Sequence, residues 1–153
     1  MRLHPARSWS RRIAVAALAI SAMVAVTSLS ACYSDTATTS PASPATGQHV
    51  AASDFSAAIK APGTIVLDVR TPAEYNAGHL PKAQLVDIEA PDFATKIAAL
   101  DKNATYAVYC RSGNRSGTAL EQMSAAGFTH VYDLADGIVA WQAMGGPLET
   151  GGS

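Results

Sequence analysis

Apolar positions along this chain fall into two regimes. Residues 13–31 form one unbroken stretch without a charged side chain, whereas beyond His49 short apolar runs alternate with segments whose apolar residues recur every three or four positions. The second regime predicts an α/β domain, a mostly parallel sheet with helices on its faces. Ser53 is placed to cap a helix reaching residue 60 with Phe55, Ala58 and Ile59 on one side, and Pro62-Gly63 stops it. Residues 64–69, rich in Ile, Val and Leu, read as a buried strand whose end delivers Asp68 and Arg70; Pro72 then suits a first helical turn. A strand over 85–88, a helix marked by Phe93, Ile97 and Leu100, and a strand over 105–109 follow. The pattern closes with a helix over 119–126 capped by Gly127, a strand over 131–134 and a helix over 138–144 ending at Gly145-Gly146.

Charge sharpens this division. Of 11 basic residues, Arg2, Arg7, Arg11 and Arg12 precede the apolar stretch, which leaves seven against all 12 acidic ones, a balance of about −5. A domain so charged repels a phosphate backbone, which excludes nucleic acid as a partner. Cys32 and Cys110 are the only cysteines, too few for a disulfide framework or a four-thiolate zinc site, and His49 and His130 are isolated and lack ligand spacing, so neither metal nor cofactor is expected.

A basic start, an apolar run and small residues at its end are the parts of an export signal. Leu29-Ser30-Ala31-Cys32 resembles the lipobox of bacterial lipoproteins, which implies cleavage after residue 31, diacylglycerol on Cys32 and attachment outside the cytoplasm to the bacterial cell membrane. Arg11-Arg12 leaves both the general and the twin-arginine export routes open. Residues 33–48 are mainly Ser, Thr, Ala and Pro and read as a tether with an r.m.s. span of roughly 20 to 24 Å. The expected organisation is a signal over 1–31, lipidated cysteine and tether over 32–48, and one domain over 49–150.

The chemistry concentrates in Cys110-Arg111-Ser112-Gly113-Asn114-Arg115-Ser116, between a strand and a helix. In an open α/β sheet ligands bind beyond the carboxyl ends of strands, where this cysteine stands. A turn with a permissive glycine can aim successive backbone N–H groups inward, and the following helix turns its positive end to the same spot. Arg111 and Arg115 add formal charge, and all three influences favour thiolate over thiol.

Four segments in this order resemble the rhodanese family: Leu67-Asp68-Val69-Arg70 with Glu74-Tyr75, Gly78-His79-Leu80-Pro81-Lys82-Ala83, the cysteine loop, and Asp136-Gly137-Ile138-Val139-Ala140-Trp141. Lys82 departs from the glycine usual after the proline, and Asp136 from the first of a usual glycine pair. The resemblance implies a three-layer α/β/α fold with about five strands and thiosulfate sulfurtransferase activity without a cofactor. In that reading Cys110 takes a sulfane sulfur from a small anionic donor as a persulfide and hands it to cyanide, a thiol or a protein acceptor. The amides of Arg111, Ser112, Gly113, Asn114 and Arg115 would cradle the outer sulfur, with Arg115 turned into the loop, while Asp68 and Arg70 support it from the neighbouring strand. Phosphatases and arsenate reductases of related fold separate cysteine and arginine by five residues; the separation of four here suits one sulfur atom better. A persulfide carrier without turnover is the alternative. His79 reads as a structural hydrogen-bonding residue and Trp141 and Phe128 as core.

Overall fold

A computed structural model of the chain describes residues 43–152. The signal-like segment, Cys32 and the tether as far as residue 42 lie outside the described residues. Five strands form one sheet in the order β1-β5-β4-β2-β3, all parallel: β1 Gln48–Val50, β2 Thr64–Asp68, β3 Gln84–Leu85, β4 Thr105–Tyr109 and β5 His130–Leu134. The expected three-layer α/β/α architecture is therefore present. Helices α1 (Ala52–Ala58), α2 (Pro72–Ala77) and α5 (Gly137–Ala143) cover one face, and α3 (Phe93–Ala98) and α4 (Asn114–Ala125) the other.

Side chains alternate across a pleated strand, so a strand buried on both faces is apolar at every position. Val66, Ala107, Tyr109, Tyr132 and Leu134 face Phe55, Ile138 and Trp141, whereas Leu67, Val108, Cys110 and Val131 face Phe93, Leu120 and Met123. Trp141 and Phe128 are core as expected.

Local chemistry accounts for the boundaries, including those the sequence misplaces. Helix α1 starts after Ala51, with no side-chain cap, so Ser53 lies inside the first turn and is not the N-cap. The entry is fixed instead by the pairing of Val50 with Leu134 and by the Phe55 N–H donated to the Ala51 carbonyl. Thr71 and Glu74 cap α2 reciprocally, with Pro72 at its first position. Strand β3 has only two residues rather than the four expected over 85–88, although the Val86 and Ile88 amides still reach the carbonyls of Asp68 and Val69. Helix α4 begins five residues earlier than its apolar periodicity signals, inside the cysteine loop. It ends in a Schellman arrangement, with Gly127 (φ 91°) bonded to Ser124 and Phe128 to Met123. The C-cap itself is Ala126, and Gly127 is the left-handed residue after it. Gln48, counted with the tether, is the first residue of β1.

Candidate active site

Chain order reverses across the sheet between β2 and β4: β3 lies on one side of β2, while β4, β5 and β1 lie on the other. A crevice opens at the carboxyl ends of strands at such a switch point. Cys110 follows β4 there, with 1% of its surface exposed. The Gly113 N–H donates to its Sγ at 3.2 Å.

What turns the loop is visible in where its carbonyls go. The Ile138 N–H, at the start of α5, donates to the Cys110 carbonyl at 2.9 Å, and the Val139 N–H to the Arg111 carbonyl at 3.4 Å. The Gly113 carbonyl accepts from the Gly117 N–H at 2.8 Å. In a trans peptide the N–H opposes the C=O, so each anchored carbonyl sends the amide of its own peptide to the other side. Two glycines make the close approach possible. Gly113 (φ 92°) lies against the Ala135 carbonyl and Gly137 (φ 61°) against the Arg111 and Cys110 backbone, so tightly that a Cβ on either would collide. Asp136, which departs from the family's first glycine, has φ −105° and tolerates a side chain.

Arg115 meets Glu74 across the crevice in a two-pronged pair, Nη1 to Oε2 at 2.8 Å and Nη2 to Oε1 at 2.7 Å, with Glu89 at 3.7 Å. Its guanidinium is thus held by carboxylates of other segments, and is not simply turned into the loop as the resemblance implies. The hydrogen bonds from Arg115 hold the Glu74 carboxyl down to about 2, with Thr71 assisting against partial burial. Glu74 appears in the sequence only as part of a motif; its partner is 41 residues away, and no spacing rule joins them.

Asp68 and Arg70 form an ion pair with each other. Arg70 Nη2 lies 2.6 Å from Asp68 Oδ2 and its Nε 2.9 Å from Oδ1, both side chains being buried. The pair has no hydrogen bond to residues 111–115. Asp68 sits on the α1, α2 and α5 face of the sheet, opposite the face Cys110 occupies, and accepts from the Tyr109 hydroxyl at 2.6 Å. Arg70 also donates to the Gly78 carbonyl at 2.7 Å. The pair therefore braces the Gly78-His79-Leu80 turn and Tyr109, the residue before Cys110. Burial, which opposes the Arg70 charge, is outweighed by Asp68, and burial beside Asp68 pushes the Tyr109 hydroxyl upward.

Arg70 and Arg111 line a pocket of about 380 Å³ with Glu74, Gln142, Val139 and Leu148. Two cations, one of them already paired, and an apolar wall suit a small anion. Ser112 and Asn114 are exposed on the loop. His79 has the structural role expected, its ring stacked on Tyr75 at 3.7 Å and Nδ1 bonded to the Tyr75 carbonyl at 3.0 Å. His49 is isolated only in sequence: its Nδ1 lies 2.6 Å from Oδ1 of the buried Asp133. Among the described residues no cluster of His, Cys, Asp and Glu could hold a metal, and no helix is long and apolar enough to cross a membrane.

The model of the rhodanese-like domain family matches residues 51–144. "Probable adenylyltransferase/sulfurtransferase MoeZ" of Mycobacterium tuberculosis is 37% identical over 76 residues, half of this chain but only 19% of that protein. The thiosulfate sulfurtransferase GlpE of Pseudomonas fluorescens is 37% identical over 86 residues, 56% of this chain and 76% of that enzyme. Among solved structures, a rhodanese-related protein from Thermoplasma volcanium superposes with a TM-score of 0.61 at 32% identity, covering 68% of this chain and 99% of that one.

Proposed function

We propose, from the premise that this chain belongs to the rhodanese-like domain family, that it is a sulfurtransferase working through a persulfide on Cys110. The observation that carries the reading is the Gly113 N–H aimed at Sγ, in a loop whose Cys110 and Arg111 carbonyls are drawn away by the start of α5. Similarity to GlpE supports thiosulfate as donor. Physically, a sulfur dianion suits the pocket lined by Arg70 and Arg111.

The Cys110 thiolate attacks the outer sulfur of thiosulfate; the sulfur–sulfur bond of the donor breaks and sulfite leaves with the electron pair. The new outer sulfur carries the negative charge, and the amides of residues 111–115 meet it as hydrogen-bond donors in place of water. Cyanide or a thiolate then attacks that sulfur, leaves as thiocyanate or a persulfide, and returns Cys110 to its starting state. No proton transfer is required at Cys110 itself, and Asp68 and Arg70 act by holding Tyr109 and the Gly78 turn.

The same reading has Cys32 lipidated and the domain tethered outside the cytoplasm at the bacterial cell membrane, supported by Leu29-Ser30-Ala31-Cys32 alone. The test of the activity is sulfite release from thiosulfate in the presence of cyanide by the purified chain. Turnover that disappears in Cys110→Ser supports the reading, and equal turnover in that variant overturns it. The test of the anchor is incorporation of labelled fatty acid in bacteria, which Cys32→Ser must abolish.

A further inference from the structure

Asp133 is a second buried carboxylate, on the face of the sheet opposite Asp68 and without a cationic side chain as intimate as Arg70. It lies inside β5, between β1 and β4, and is fully buried. Its Oδ1 meets Nδ1 of His49, its register partner on β1, at 2.6 Å; the His49 side chain is 61% exposed. Its Oδ2 accepts from the hydroxyl of Ser116, in the first turn of α4, at 2.7 Å. The same hydroxyl stands 3.0 Å from the Gly113 carbonyl. Gly113 is the residue whose N–H reaches Cys110 Sγ.

Stability does not explain this carboxylate. Burial pushes Asp133 above the ordinary carboxylate range, with Ser116 and His49 opposing it only in part. A group whose folded value is raised stabilises the fold below its unfolded value, and that contribution is lost as pH rises through the folded one. Ionising Asp133 inside the sheet is therefore a cost to the fold, as buried charges often are. What it gains is geometric: a hydroxyl has one proton, the carboxylate is its stronger acceptor, and the Ser116 rotamer is fixed accordingly.

We propose that Asp133 is a positioning residue for the reactive loop, acting through the Ser116 hydroxyl to hold the first turn of α4, and with it Gly113, the N-cap of that helix, in the position from which its N–H serves Cys110. This rests on Cys110 being the sulfur-bearing residue. A donor N–H displaced by a fraction of an ångström loses much of its value to a developing charge, while of the pocket arginines Arg70 is held by Asp68 and the exposed Arg111 side chain has no bond to Asp133 or Ser116. The defect on removing the link therefore belongs in kcat and not in KM.

The experiment uses the full chain in detergent, with Asp133→Asn, Ser116→Ala and the double variant assayed for thiosulfate-to-cyanide transfer and melted in parallel. Expected is a fall in kcat of about tenfold in each single variant, KM for thiosulfate within about twofold, no further loss in the double variant, and a melting temperature of Asp133→Asn at or above that of the parent. Either single variant retaining kcat within twofold overturns the proposal, as does loss of activity that merely follows the unfolded fraction. If the parent chain acquires no sulfur on Cys110, the sulfurtransferase reading fails first, an outcome the mass of the parent distinguishes.

Discussion

Glu74 and Arg115 join two segments 41 residues apart, at the N-terminal turn of α2 and the first turn of α4, through two parallel hydrogen bonds of 2.7 and 2.8 Å. The carboxylate is shared: its Oε2 also accepts from the Thr71 N–H and hydroxyl, so one side chain caps α2 and restrains the arginine of the reactive loop. Planar, two-pronged geometry is the strong form of this pair, and both partners are about three-quarters buried.

Glu74→Gln should lower stability at pH 7 by about 1–2 kcal/mol after allowance for solvent screening. Because the folded value, about 2, lies below the ordinary one, the contribution is complete above the unfolded value and is lost as pH falls toward 2. Urea unfolding of parent and variant at pH 7 and at pH 3.5 should show the gap narrowing at the lower pH. A gap independent of pH would show that the charge of Glu74 is not what stabilises.

Gly137→Ala places a methyl where the backbone of Arg111 and Cys110 already stands, at a φ of 61°. The expected cost is roughly 2–4 kcal/mol from strain and forced displacement, with sulfur transfer falling further than the fraction folded. Thermal melts beside rate measurements on the folded fraction check this. A variant with parent-like stability would mean that the loop and α5 are not packed as closely as described.

Lys82, at φ 61°, is the one non-glycine residue in the left-handed region among the described residues. Lys82→Gly should therefore stabilise by about 1 kcal/mol, the relief of that conformation exceeding the extra entropy of the unfolded glycine. Denaturant midpoints provide the comparison, and a lower midpoint in the variant would refute it.

Arg111 is exposed at the pocket and its side chain serves no ion pair among the described residues. Arg111→Ala should raise KM for thiosulfate about tenfold at low salt, with the difference shrinking as salt screens the dianion. Steady-state kinetics at two ionic strengths test it; a change in kcat alone would assign Arg111 to the chemical step.

The strands that carry the site were legible because they are buried on both faces: residues 64–69, 105–109 and 131–134 announce themselves by composition, and Cys110 stands at the end of one of them. The three residues of β1 escape notice because pairing with β5, not any periodicity of their own, makes them a strand. The start of α4 is hidden for a related reason. Asn114, Arg115 and Ser116 are polar, the first exposed and the others bonded to Glu74 and Asp133, so helix formation there leaves no apolar period to read. Asp68 and Arg70, two residues apart, were recognisable as a pair, but only the pleat reveals that they face away from Cys110. The contacts Glu74–Arg115 and His49–Asp133, spanning 41 and 84 residues, come from tertiary packing and have no local signal.

The most direct test of the central claim is the intact mass of the full chain before and after exposure to thiosulfate. The account predicts a gain of one sulfur, located by peptide mass on Cys110, removed by cyanide and absent in Cys110→Ser. An unchanged mass in the parent, or the same gain in Cys110→Ser, would contradict it.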